Sequence, residues 1–459
     1  MKNIFVLGAV FAATATVSVA QETDTTLIAQ KWDITQCIEQ AKYHNLRVGQ
    51  AMVDIETAKI GVQTAKLDFL PSLGASSNVN ANFGRALDPT TYQFSSNETV
   101  VNFSAGAQAS ATIFGGMSKH HNLDKSKLAQ QTAQKSVEQL QDELTIAVAG
   151  SYLQILFNKE MVETSKSQIE LIEEQVVRLK QKVEAGMLPL GDLMEIEAQL
   201  SAEKYNLVSL NNQHATSKLT LMQLMEIRSF KDFDIVVPVI DTLTPFSMTG
   251  FNEVYSKALN LARIEVADLQ NESSKKDVSL AKAALYPTLN FSANYGSSWS
   301  DARKKPSMLP DGTTIYGKYP FGDQFLDNAA GAVGVSLVIP IFNGLKSQNG
   351  VRNAVWRQKK SEIALLQVKD VLYKEIQQAY LDAMGSYEKY VSATESVEST
   401  QESFNYADVR FASGATTSLD YNTAKNKLIQ AISQQLSSKY EYIFKLKILE
   451  FYVGNPIVL

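Results

Sequence analysis

The sequence predicts an internally duplicated α+β membrane protein, in which each chain lends four β-strands to a trimeric 12-stranded β-barrel and adds long coiled-coil helices. Three observations carry the prediction. The chain repeats itself once, long segments keep a seven-residue apolar period, and four shorter segments keep a period of two.

The repeat has a fixed spacing. AKLDFLPSL, with Pro71, matches AKAALYPTL, with Pro287, at an offset of 216 residues (287 − 71). Further on, ATIFGG meets IPIFNG, and Gly116 falls on Gly344 at an offset of 228 (344 − 116). Tyr152 and Leu153 then meet Tyr380 and Leu381, Gly186 meets Gly414, and Asp192 meets Asp420. The 12-residue change (228 − 216) requires an insertion between Pro287 and Phe342. A unit this long is a duplicated half-protein, since solenoid modules run about 20–50 residues. Repeat one is expected over about 34–227 and repeat two over about 251–454. A mid-height belt, about 228–250, reads FDIVVPVI and suits a small strand.

Residues 1–20 read as a secretory signal peptide: Lys2, an apolar run from Ile4 to Val19, and a small-residue cleavage site at Ser18-Val19-Ala20. Cys37 is the only cysteine, so no intramolecular disulfide can form. Cleavage would leave 42 basic residues (43 − 1) against 48 acidic, a net charge of −6, and no nucleic-acid partner is expected. Beyond residue 20 no run of about 18 apolar residues exists, so a membrane would have to be crossed by a closed β-barrel.

Helices of similar length are expected at about 34–70 and 252–286, each stopped by a proline that disfavours helix at the residue before it. Period-two segments follow. Leu73, Ala75, Val79, Ala81 and Phe83 alternate with small polar residues, as do Val101, Phe103, Ala105, Ala107, Ala109 and Ile113. Leu289, Phe291, Ala293, Tyr295 and Trp299 repeat the pattern, as do Val333, Val335, Leu337 and Ile339. One apolar face and one uncharged polar face is the signature of strands between lipid and water. The hairpins are expected at about 72–114 and 288–342, with outer loops at about 84–100 and 300–328. Their aromatic residues suit a lipid-interface girdle. Four strands cannot close a barrel, two chains would give a filled one, and three leave a lumen for the small Asn, Ser, Gly and Gln side chains.

Residues 118–185 hold no proline and one glycine. Ile155, Val162, Ile169, Val176 and Val183 recur every seven residues, with Ile172 and Leu179 in the second seam position. Tyr390, Val397, Phe404 and Phe411 occupy the equivalent places in the second repeat. Gly186 and Gly414 end these long helices, and return helices follow at about 190–226 and 418–453. Leu193, Leu200, Leu207 and Leu221 keep the seam, with His214 in one slot.

This arrangement, with FGG and FNG turns into long helices and glycine–aspartate tips, resembles the TolC-like outer membrane efflux protein family over essentially the whole chain after the signal. The resemblance implies a homotrimer in the outer membrane of a Gram-negative bacterium, its 12-stranded β-barrel continuous with a long coiled-coil α-barrel that extends into the periplasm, and surrounded by outer-membrane lipid. It further implies a periplasmic adaptor protein and an inner-membrane transporter as partners, and passive conduction of small molecules or drugs. Some members serve type I protein secretion instead. The residues matching the family's adaptor-docking tips are Gly186, Leu188, Gly414, Thr416 and Ser418. Asp192 and Asp420 fall where members place gate or lumen carboxylates. The match departs from the pattern at Phe411, Thr416 and Thr423, which replace a tyrosine, an arginine and a second carboxylate of some members. Pro71, Pro287, Gly116 and Gly344 mark the helix–strand junctions.

Read from the residues alone, Asp192 and Asp420 also lie where an acid caps a helix or suits its dipole, and both roles stay open. His120 and His121 are adjacent on a helix and do not face one another, so no metal site is expected there. No phosphate loop, nucleophile–base pair or metal-ligand spacing is present, so neither an enzyme nor a cofactor is expected. The reading from another class is a coiled-coil scaffold without a pore.

Overall fold

The computed structural model describes residues 31–85, 94, 98–229, 233–238, 243, 245 and 250–459. The expected signal peptide lies outside the described residues, as do parts of the 84–100 loop and of the belt. The first half runs β1 (Lys31–Trp32), α1 (Ile34–His44), α2 (Leu46–Leu67), β2 (Ser72–Gly84), β3 (Glu98–Gly115), α3 (Ser118–Glu184) and α4 (Leu190–Leu224). The second runs β4 (Asp234–Ile235), α5 (Phe251–Ala258), α6 (Ala262–Ala283), β5 (Thr288–Ser300), β6 (Lys304–Met308), β7 (Thr314–Lys318), α7 (Phe321–Asp327), β8 (Ala330–Val338), α8 (Lys346–Ala412) and α9 (Ser418–Val453).

α3 and α8 each have 67 residues, which at 1.5 Å per residue is about 100 Å. Both end in the same hydrogen-bonded glycine turn. Gly186 (φ +71) donates its N–H to the Val183 carbonyl and Met187 to that of Lys182; Gly414 (φ +73) and Ala415 repeat this with Phe411 and Arg410. Only glycine takes that left-handed position without strain. α4 and α9 return over 35 and 36 residues, about half the length of their partners.

The helices expected as single rods at about 34–70 and 252–286 are each broken in two. The first breaks at Asn45, whose extended backbone lets its side chain accept from Arg47 N (2.9 Å) and cap α2. Its amide also donates to the Leu224 carbonyl (3.0 Å), one of the orphan acceptors at the end of α4. The break therefore sits where α4 stops and α2 takes its place along α3. The second break is the turn at Leu259–Leu261, with Leu261 extended at ψ 145° ahead of α6.

The four long strands form one antiparallel sheet in the order β2-β3-β5-β8. One irregularity, between Thr112 and Phe114, re-aims the end of β3 toward the helices. Cross-strand partners such as Val79, Phe103 and Trp299 share the apolar face, which is exposed in a single chain: Leu73 is 80% and Val333 75% accessible. The outer edges of β2 and β8 have no strand partner among the described residues of the chain. The 300–328 segment, expected as loop, contains the β6–β7 hairpin and α7, which house the insertion.

At mid-height β4 pairs in parallel with β1, a partner that two residues of sequence do not reveal. Tyr152 locks this belt by donating its hydroxyl to the carbonyls of Val236 (2.6 Å) and Trp32 (3.2 Å). Around it Cys37, Ile155, Leu221 and Ile235 are fully buried. Burial pushes the Cys37 thiol up to about 12, so it is an inert core residue.

Candidate functional site at the helical tips

The tips of the two helical hairpins lie side by side. The first is sealed by an apolar seam of Ile172, Leu179, Leu193 and Ile196, against which Leu188 and Phe411 pack. The second is bound to it by polar contacts. Ser418 donates to Glu195 (2.7 Å), Asn422 donates to the same carboxylate (3.4 Å), and Lys182 donates to the Ala412 carbonyl (3.1 Å). Deeper in, the Gln175 amide donates to the Tyr421 hydroxyl, and the Tyr421 ring lies against Phe411 (4.9 Å) and Phe404 (5.5 Å). A cleft of about 330 Å³ opens between the hairpins, lined by Arg178, Lys182, Asp192, Asp408, Gly414 and Thr416, among others.

Asp192 and Asp420 are equivalent in sequence and unequal in setting. Asp420 is exposed and belongs to a cap. Thr417 begins α9 and accepts from Asp420 N (3.2 Å), while Thr416 and Thr417 both donate their hydroxyls to the Asp420 carboxylate (3.0 Å each). The Thr417 hydroxyl, then that of Thr416, hold this carboxyl below the usual carboxylate range. Asp192 stands in the first turn of α4 behind Pro189, which offers no side-chain cap. It is half-buried and faces the cleft. Gly186 and Gly414 are exposed, with open space around them, and the Thr416 hydroxyl is engaged with Asp420.

The junction residues divide similarly. Gly116 and Gly344 both have positive φ (+59 and +66), and the residue after each, Met117 or Leu345, is left-handed too. A Cβ on Gly116 would stand 2.7 Å from the Ala283 carbonyl, whereas one on Gly344 would meet nothing within 4 Å. Pro71 and Pro287 directly precede β2 and β5. His120 lies edge-on to Phe69 (5.0 Å), and His214 is half-buried with Nε2 unpartnered. Among the described residues no group of three or more potential metal ligands is found.

Three tip residues escaped the sequence reading: Glu195, Gln175 and Lys425. Lys425 was the most visible. With Tyr421 and Leu428 it follows the i, i+4, i+7 spacing of a buried helix stripe, where a lysine is out of place.

The sequence pattern of the outer membrane efflux protein family matches residues 37–225 and 254–455, well over half of the chain. The chain belongs to that family. It is 20% identical over 432 residues to the outer membrane protein TolC of Salmonella enteritidis, covering 93% of this chain and 83% of TolC. It is 22% identical over 425 residues to the pyoverdine export outer membrane protein OpmQ of Pseudomonas aeruginosa, covering 87% and 81%. The fold matches the Campylobacter jejuni CmeC outer membrane channel at a TM-score of 0.75 with 16% identity, over 99% of this chain and 94% of CmeC. It matches the outer-membrane channel OprN at 0.74 with 18% identity, over 92% and 90%. The efflux protein is thus an outer-membrane, TolC-like transport protein reaching into the periplasm, with the expected duplicated fold of a trimeric barrel continued by helices.

Proposed function

We propose that this efflux protein is the outer-membrane exit duct of a tripartite pump, passively conducting small molecules handed to it by a periplasmic adaptor and an inner-membrane transporter. One observation carries the reading above all. A sheet with one apolar and one small polar face stands on helices about 100 Å long, which suits a lipid-sealed, water-filled path across both the membrane and the periplasm. A pore-less scaffold has no use for such a sheet.

The tips are the proposed docking and gating end. Gly186, Leu188, Gly414, Thr416 and Ser418 form the surface offered to the adaptor. Asp192 and Asp420, three copies of each, form the proposed ring of negative charge at the mouth, whose field concentrates in a narrow opening. The cap around Asp420 and the cleft position of Asp192 give Asp192 the larger share of the gate.

The test is single-channel recording of the reconstituted trimer. Asp192→Asn with Asp420→Asn should reduce cation selectivity while trimer stability stays nearly unchanged. Unchanged selectivity with dissociating trimers would make both residues structural. Deleting the gene should sensitise cells to small toxic compounds. The loss of a secreted protein, with susceptibility unaltered, would instead favour type I secretion. Similarity to the alkaline protease secretion protein AprF of Pseudomonas aeruginosa, 22% identical over 319 residues, keeps that second reading in view.

A further inference from the structure

The seam between the two hairpins is polar above the tips, where a helix interface is ordinarily apolar. α3 buries Ser165, Gln168 and Gln175 there, and α9 buries Lys425. α4 and α9 both lead away from the tips, so their turns climb in step. Glu195, Gln199 and Glu203 stand one turn apart on α4. Glu195 meets Ser418 and Asn422 near the start of α9, and Lys425 follows less than one turn later. Glu203 is the charged group that acts on Lys425.

Unsatisfied polar atoms gather at this seam. Among the described residues, Lys425 Nζ and the amide oxygens of Gln175, Gln199 and Asn422 are all buried without a hydrogen-bond partner. The amide nitrogens of Gln175 and Asn422 are used, donating to the Tyr421 hydroxyl and to Glu195. The Glu203 carboxylate is half used. Its Oε1 accepts from Ser165 (2.8 Å) and from Asn206 (3.2 Å), while its Oε2 accepts from no group among the described residues. Lys425 and Glu203 thus act on one another across the seam without forming an ion pair.

Packing does not explain the lysine. A methionine would fill the same space without a charge. The equivalent place in the first repeat, 228 residues earlier (425 − 228), is Glu197, which is exposed, so the duplication does not require a buried charge there. A charge buried without a partner destabilises the state that holds it, relative to any state that supplies one. The long stem of a lysine also lets its head reach well away from its own helix once space opens.

We infer that Lys425 is the release catch of the tips: in the packed seam its ammonium is held apart from Glu203, and when the α8–α9 hairpin loosens from α3–α4 the stem extends and the two form an ion pair. The closed tip withholds the pair, and the loosened tip supplies both the pair and water around it. Lys425 and Glu203 therefore bias the tip toward opening, against the bonds from Glu195, Gln175 and Lys182 that hold the hairpins together. The inference rests on reading the tips as the gating end, and it adds to that reading the residues that drive release.

The test is single-channel recording of the reconstituted trimer at pH 7, reading the ratio of open to closed time. Lys425→Met should lower that ratio roughly 100-fold. Lys425→Arg keeps the charge and should stay close to wild type, an outcome that packing alone does not predict. Glu203→Gln should lower the ratio about five-fold in the wild-type background and leave it unchanged beside Lys425→Met, because the partner is then gone. Equal effects of Glu203→Gln in both backgrounds would overturn the pairing. Lys425→Met opening more readily than wild type, or Lys425→Arg behaving as Lys425→Met, would overturn the catch. Should the Lys425 variants fail to assemble, Glu203→Gln alone leaves the lysine in place, and an unchanged ratio there is enough to reject the pair. Asp192 and Asp420 stay unaltered and neither selectivity nor export is read. Unchanged selectivity in the aspartate variants beside intact Lys425–Glu203 coupling would remove the charge ring and leave the catch standing.

Discussion

Lys425 offers a quantitative handle on the tips. It is 3% exposed in α9, and among the described residues its ammonium makes no hydrogen bond and the charged group that influences it is Glu203. Glu203 is itself held by Ser165 (2.8 Å) and Asn206 (3.2 Å). Burial lowers the Lys425 pKa from 10.5 to about 8. A gap of 2.5 units (10.5 − 8) corresponds to about 3 kcal/mol by which the packed tip disfavours the charged form. Below pH 8 the lysine is charged in both packed and opened tips, and the full cost is present. Between pH 8 and 10.5 the opened tip binds more protons, so the packed tip gains stability as pH rises. Lys425→Met keeps the stem and removes the charge. Hydrogen exchange at the α9 amides reads local opening directly, and comparing variant with wild type at each pH cancels the intrinsic exchange rate. The variant should be protected up to about 100-fold more than wild type at pH 7, and the ratio should shrink toward one by pH 10. Above pH 10 the ionisation of Tyr421, pushed up to about 12 by burial, acts in the opposite direction, so the window ends there. A variant less protected at pH 7, or a ratio flat from pH 8 to 10, would refute the reasoning.

Two further predictions test the strand faces and the junctions. Val335→Arg puts a charge on the lipid face and should cost about 2–4 kcal/mol near the midplane, whereas Ser336→Arg, one residue on, should assemble and alter conductance; equal yields of folded trimer would contradict the facing. Gly116→Ala should destabilise more than Gly344→Ala in thermal melts of the trimer, because both incur left-handed strain of roughly 1–2 kcal/mol but only the first drives a Cβ to 2.7 Å from a carbonyl; equal melting shifts would contradict this.

Local signals were read well where the chemistry is local. Gly186 and Gly414 end helices through bonds to carbonyls three and five residues back, and Pro71 and Pro287 act on the residue before them. The break at Asn45 was hidden because its cause, the Leu224 carbonyl, lies 179 residues away. The partner of β4 was hidden because a two-residue strand carries no period. The 300–328 segment, expected as a loop, holds a hairpin in which Pro306 pairs with Tyr316 and whose turn contains Pro310 and Gly312. The equal spacing of Asp192 and Asp420 from their glycines suggested equal roles. Their difference lies in the residues before each helix, Pro189 in one case and Thr417 in the other.

The two repeats agree in length and disagree in packing, and the disagreement says which one yields first. α2 and α6 have 22 residues each, α3 and α8 have 67, and β2 and β5 have 13, because halves standing side by side must reach the same heights. In α3 the seam residues Val162 and Ile169 are buried, and Val176 and Val183 are half-buried. In α8 the corresponding Tyr390, Val397, Phe404 and Phe411 are only half-buried in the chain. Aromatic rings fill more space than the aliphatic side chains they match; Phe404 and Phe411 lean on Tyr421, and Phe411 also packs against the seam of the first hairpin. The same hairpin carries the unpaired Lys425 and joins the first through Glu195, Gln175 and a backbone carbonyl. Polar contacts can be exchanged for water at little net cost, whereas exposing an apolar seam is opposed by roughly 25 cal/mol per Å². Any rearrangement of the tips is therefore least costly in the α8–α9 hairpin, with α3–α4 remaining as the frame against which it moves.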